Sequence, residues 1–191
     1  MGLTISKEQV AELPIEMFEG DIIVIDRTTE VRDACNYLSS ESALGFDTET
    51  KPTFKQGQVN KVALMQLSTE EKCFLFRLNR IGYPNELGTL MSDSRIKKIG
   101  LSLRDDFAAI RKRSIRKLEN FVDLQGFVNK FGIEDNSLQK IYAILFGRKI
   151  SKSQRVSNWE AATLTPAQQS YAAIDAWACL RIYNHLMRTG Q

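Results

Sequence analysis

Nine residues, "KVALMQLST" at 61–69, restrict the possible folds more than any other stretch of the chain. They form a nearly continuous apolar run of strand length. Side chains on a strand alternate between two faces, so this run has to be covered on both. That is the situation of an inner strand in a layered α/β domain. The neighbouring segments agree. "DIIVID" at 21–26 reads as a strand, and so do residues 43–49 of "ALGFDTET". "KCFLFRL" at 72–78 reads as a strand hairpinned to the apolar run through Thr69, Glu70 and Glu71. "IKKIGLSL" at 96–103 and "NFVDL" at 120–124 add two more.

Helical signals fall between and after these strands. Ser6 and Gln9 have capping-box spacing, which predicts a short helix over 7–13 that Pro14 stops. In 28–40, Val31, Ala34, Cys35 and Leu38 recur at helical spacing. Further helices are expected over 84–93, from Asp106 to Lys112, and over 124–131, 137–146 and 166–188. The last opens on Thr165-Pro166, an N-cap followed by proline at the first helical position. This order predicts an α/β fold with a central mixed sheet flanked by helices, antiparallel at the start and parallel later. A chain of 191 residues suits one domain.

Acids stand where such a fold brings strand ends together. Asp47 and Glu49 are separated by one residue near the end of a strand, so both carboxylates project from one face. Taken alone, the pair also fits an ordinary polar strand end. Asp106 follows the strand "IGLSL" and also fits a helix cap, a role for which Asp105 competes. The last helix is more informative. At about 100° per residue, Tyr171, Ile174, Ala178, Ile182 and Leu186 share one side, and Asp175 lies within that stripe. An inward carboxylate costs several kcal/mol unless a buried cation, a helix N-terminus or a metal ion neutralises it. Four carboxylates from three segments can converge on two hard divalent cations, and oxygen ligands favour Mg²⁺ or Mn²⁺ over zinc.

Charge and cysteine content narrow the class further. The formal net charge is only +3. Basic residues nevertheless cluster from Arg95 to Lys117, and again at Arg148, Lys149, Lys152 and Arg155, as a phosphate backbone requires. A solvated helix face is the competing reading. Cys35, Cys73 and Cys179 form no paired motif, which predicts neither a disulfide framework nor a zinc site. The N-terminal stretch lacks a signal-peptide core and the apolar runs are short for a bilayer. The expected location is cytoplasmic, or nuclear in a eukaryote.

"FDTET", "IGLSLRDD" and "YAAIDA" together resemble the three motifs of the DEDD 3′→5′ exonucleases. The third motif, Y-x-x-x-D, is that of the tyrosine subtype. "KVALMQLSTEEKCFLF" and "SQRVSNWEAATLTPAQQSYAAIDA" are most similar to the Werner-type exonuclease domains. The resemblance spans about 21–188, leaving residues 1–20 as an N-terminal extension with a short helix. It implies a ribonuclease H-like fold and a metal-dependent exonuclease acting on nucleic-acid 3′ ends, DNA before RNA. It also implies that Asp47, Glu49, Asp106 and Asp175 are metal ligands and that Tyr171 orients the attacking water. Counting from Gly100 in the second motif selects Asp106 over Asp105. Ser170 stands where the sister subtype has its histidine, so the tyrosine mechanism is the one implied. Lys51, Phe54, Met65 and Arg155 are candidate substrate contacts, and a helicase acting in trans is a candidate partner. Two other functions compete: a ribonuclease D-like exoribonuclease, and a binding domain that has lost catalysis, against which the retention of all four acids argues.

Overall fold

The computed structural model describes residues 2–53 and 60–190. Six strands are β1 (Asp21–Ile25), β2 (Ala43–Thr50), β3 (Val62–Ser68), β4 (Lys72–Phe76), β5 (Lys97–Gly100) and β6 (Phe121–Asp123). They form one sheet in the order β1-β4-β3-β2-β5-β6. The helices are α1 (Lys7–Glu12), α2 (Thr28–Leu38), α3 (Leu78–Ile81), α4 (Asn85–Met91), α5 (Arg104–Arg111), α6 (Leu124–Val128), α7 (Leu138–Phe146) and α8 (Pro166–Thr189).

The apolar run is β3, and every residue of it is buried, as its composition demands. It sits between β2 and β4 and runs antiparallel to both, while the other pairings are parallel. The sheet is mixed as expected, but its start is not uniformly antiparallel. β1 lies at the edge, parallel to β4. Helix α2 follows β1, and a helical crossover returns the chain in its original direction.

Two strands stop earlier than their sequences imply. β4 ends at Phe76 because Arg77, only 1% exposed, turns its guanidinium to the Ala161 and Ala162 carbonyls. The chain then coils into α3. β5 ends at Gly100 because Ser102 takes a left-handed φ of 61°, which no strand accommodates.

Helices cover both faces. Val31, Cys35 and Leu38 of α2 pack with Leu87 and Leu90 of α4 and Ile110 of α5 on one face, over Leu44, Phe46 and Met65. On the other, Ala172, Ala173 and Ala176 of α8 pack in one cluster with Leu64, Leu75 and Trp159. Trp159 is fully buried and is the core anchor its surroundings require. The small residues of α8 bring helix and sheet backbones close together, which sets the geometry of the acids.

Candidate active site

Gly45 fixes the approach of α8 to β2. A Cβ added there would lie 2.0 Å from the Ala176 carbonyl oxygen, so only glycine allows the contact. By strand alternation Asp47 and Glu49 share the α8 face with Gly45. The helix begins in a complete capping box: Thr165 Oγ1 accepts from Gln168 N at 3.2 Å, and Gln168 Oε1 accepts from Thr165 N at 2.9 Å. Tyr171, at 9% exposure, and Asp175 one turn later then face the end of β2. Asp47, Glu49 and Asp175 offer carboxylate oxygens that all lie within 4.8 Å of one another.

Such crowding raises proton affinity. Burial, then repulsion from Asp175, Glu49 and Asp106, pushes the Asp47 carboxyl well above the usual range. Glu49 is pushed up to about 8 by burial, then by Asp175 and Asp106. Asp175 rises to about 7 through burial, against the pull of the Tyr171 hydroxyl bonded to it and of the Lys152 charge. The phenol of Tyr171 is itself pushed up, first by burial and then by the neighbouring carboxylates. With no cation beside them, these carboxyls therefore keep their protons to higher pH than usual.

Asp106 is near this group but outside the tight cluster. It is the third residue of α5, whose N-cap position is Leu103 with no side-chain cap, so the capping reading is not realised. Asp105 is exposed, whereas Asp106 is half-buried and accepts a hydrogen bond from Thr48 Oγ1. Burial raises its carboxyl, and the Thr48 hydroxyl and its own backbone amide pull it back. The turn that delivers Asp106 is held by Asp123, which accepts from Ser102 N and Leu103 N, both at 2.9 Å, and from Gln125 N at 3.0 Å. Sequence reasoning missed Thr48 and Asp123. An Asp at the junction between a strand and a helix was the available signal for the second.

A third residue missed is Gln66. It is the cross-strand partner of Asp47, fully buried, and neither atom of its amide has a hydrogen-bond partner among the described residues. An orphaned buried amide beside a desolvated, all-carboxylate donor set fits a site for hard, oxygen-seeking cations such as Mg²⁺ or Mn²⁺.

The candidate substrate contacts divide. Lys51 is exposed and pairs with Glu160 at 3.6 Å. Arg155 is exposed in the turn before Trp159. Phe54, like Lys55, lies outside the described residues. Met65 is corrected: it is fully buried and is the cross-strand partner of Thr48, so it lies on the sheet face opposite Asp47 and Glu49 and presents no surface to a base. The basic run from Arg95 to Lys117 is not one surface either. Lys98 is buried, donating to the Asp93 and Ile96 carbonyls at 2.8 Å each, and Arg113 is tied to the Leu78 and Val62 carbonyls.

Residues 22–191 match the family model described as 3′-5′ exonuclease. The chain is 34% identical over 188 residues to the bifunctional 3′-5′ exonuclease/ATP-dependent helicase WRN of Mus musculus, covering 93% of this chain and 13% of that protein. It is 32% identical over 171 residues to exonuclease 3′-5′ domain-containing protein 2 of Drosophila melanogaster, covering 86% of this chain and 29% of that one. The chain thus spans less than a third of either relative. Among solved structures, the Nibbler EXO domain of Aedes aegypti has a TM-score of 0.79 at 22% identity, covering 91% of each chain. RNase D of Escherichia coli has a TM-score of 0.80 at 22% identity, covering 88% of this chain and 44% of that one. The fold implied by the motifs is borne out.

Proposed function

Because this chain belongs to the 3′-5′ exonuclease family, we propose that it removes nucleotides one at a time from the 3′ end of DNA by a two-metal-ion mechanism, releasing nucleoside 5′-monophosphates. The observation that carries this reading is the gathering of Asp47, Glu49 and Asp175 within 4.8 Å on the side of the sheet where Tyr171 also stands. Asp47, Glu49, Asp106 and Asp175 would hold two Mg²⁺ or Mn²⁺ ions, which supply charge neutralisation at the scissile phosphate and acidify the attacking water.

The remaining work falls to the chain itself. Tyr171 keeps its proton among the carboxylates and hydrogen-bonds to Asp175. It therefore orients the attacking water and does not deprotonate it. Thr48 and Asp123 hold Asp106 in place from outside the reacting centre. The water gives up a proton to solvent and attacks phosphorus, the bond to the 3′ oxygen of the preceding nucleotide breaks, and that oxygen takes a proton from solvent to become the new 3′ hydroxyl.

DNA is assigned before RNA on the resemblance of "KVALMQLSTEEKCFLF" and "SQRVSNWEAATLTPAQQSYAAIDA" to the Werner-type exonuclease domains. Matched DNA and RNA strands incubated with Mg²⁺ or Mn²⁺ decide the sugar: faster shortening of RNA overturns the DNA assignment and leaves the chemistry standing. The mouse relative joins exonuclease and helicase in one chain, so a helicase in trans is the partner proposed here. Faster degradation of duplex ends when a helicase is added tests it, and no acceleration refutes it.

A further inference from the structure

A cavity of about 420 Å³ opens between α1, α7 and the segment 149–152. Lys7, Lys140, Lys149 and Lys152 line it, no acidic side chain does, and the buried Val10 and Ile150 give it an apolar floor. Lys140 is partly neutralised by Asp135 at 2.8 Å, and Lys149 donates to the Ala11 carbonyl. Lys7 and Lys152 are exposed, and neither has an acidic partner within 4.0 Å among the described residues.

The walls are firmly built. Glu16, 9% exposed, accepts from the Tyr142 hydroxyl at 2.7 Å and from Arg181 at 3.0 Å, and it pairs with Arg148 at 3.0 Å. A backbone bridge joins Ile15 to Lys149. The N-terminal extension is thereby pinned against α7 and α8, and the cavity is part of the folded body. Ile15 remains 51% exposed at its mouth. Lys152 stands on the segment that runs on to Trp159, whose ring lies 6.0 Å from that of Tyr171, so the chain leads from the cavity to the acids.

We infer that this cavity receives one nucleotide of the substrate strand, upstream of the 3′ end being cut, with its base on the apolar floor and its phosphates against Lys7 and Lys152. This rests on the exonuclease reading above. Charge complementarity supports a polyanion, the apolar floor supports a base, and the volume suits one nucleotide. Apolar contact with a base tolerates any sequence, as an enzyme that moves along a strand requires.

The test compares two substrates in Mn²⁺: p-nitrophenyl thymidine 5′-phosphate, too small to leave the acid cluster, and a single-stranded DNA 12-mer. Lys7→Glu and Ile15→Asp alter only exposed side chains, and the small ester reports on each variant's folding and active centre. The ratio of kcat/KM for the 12-mer to that for the ester should fall by about tenfold in each variant. For Lys7→Glu, the salt dependence on the 12-mer should weaken by about 0.7 in log–log slope, the loss of one single-strand phosphate contact. An active parent whose variants keep both the ratio and the salt slope overturns this inference alone. A parent inactive on both substrates overturns the DNA exonuclease reading, and this inference with it.

Discussion

Glu49→Gln should make the metal-free protein more stable while abolishing activity. Burial and the nearby Asp175 and Asp106 move the Glu49 carboxyl from 4.5 to about 8. A raised folded-state value means that the folded chain holds this proton more tightly than the unfolded chain. Its stabilising contribution is full below about 4.5 and is lost as the pH rises through about 8. At about 1.4 kcal/mol per tenfold change in proton affinity, ionising this group in the fold costs at most roughly 5 kcal/mol. Partial exposure, and the sharing of charge with Asp47 and Asp175, bring the expected gain from the amide to about 1–3 kcal/mol. For a chain of this size, about 2–4 °C accompanies each kcal/mol, so the midpoint should rise by about 2–12 °C. Thermal unfolding in chelator, followed by circular dichroism at about pH 9 and about pH 4.5, measures it. The gain should appear at the higher pH and vanish at the lower. Excess Mn²⁺ should stabilise the parent and not the variant, because binding to the native state alone adds to stability. A variant no more stable than the parent at pH 9 in chelator would refute the reasoning.

Three further substitutions probe the parts that hold the site. Gly45→Ala forces a Cβ to within 2.0 Å of the Ala176 carbonyl oxygen. It should cost about 1–3 kcal/mol in denaturant unfolding and lower kcat as α8 is displaced, whereas an unchanged kcat would show that α8 placement is not critical. Asp123→Ala removes the acceptor for three backbone amides, so about 2 kcal/mol of stability and much of kcat should be lost, with Asn at this position recovering part of both. Tyr171→Phe should lower kcat by about a hundredfold with little change in KM, and steady-state kinetics on a DNA strand distinguish this from a binding defect.

Local signals made most of the architecture legible. The apolar run of β3, the capping box of α1, the Thr165-Pro166 start of α8 and the helical stripe of α2 are each signals within a few residues, and each stands where expected. The parallel edge position of β1 was not legible, because no local pattern says which neighbour an edge strand takes. Nor does a strand signal show where the chain turns inward: β4 gives way at Arg77, whose partners lie 84 and 85 residues away. The same division runs through the site. Asp47, Glu49 and Asp175 could be named from motif and stripe, and the structure brings those three together. Asp106 could be named but not its hold on Thr48, since that contact joins residues 58 apart. Met65 was misplaced because a fully apolar strand carries no alternation to show which side faces the acids.

The most direct test is the digestion of a 5′-labelled DNA strand with Mn²⁺, run beside the Asp47→Ala variant and a chelator control. A ladder of products shortened one nucleotide at a time from the 3′ end, with nucleoside 5′-monophosphates released and both controls blank, is the predicted result. No ladder from the parent, or an equal ladder from Asp47→Ala, would contradict the claim that this carboxylate cluster is a DNA exonuclease centre.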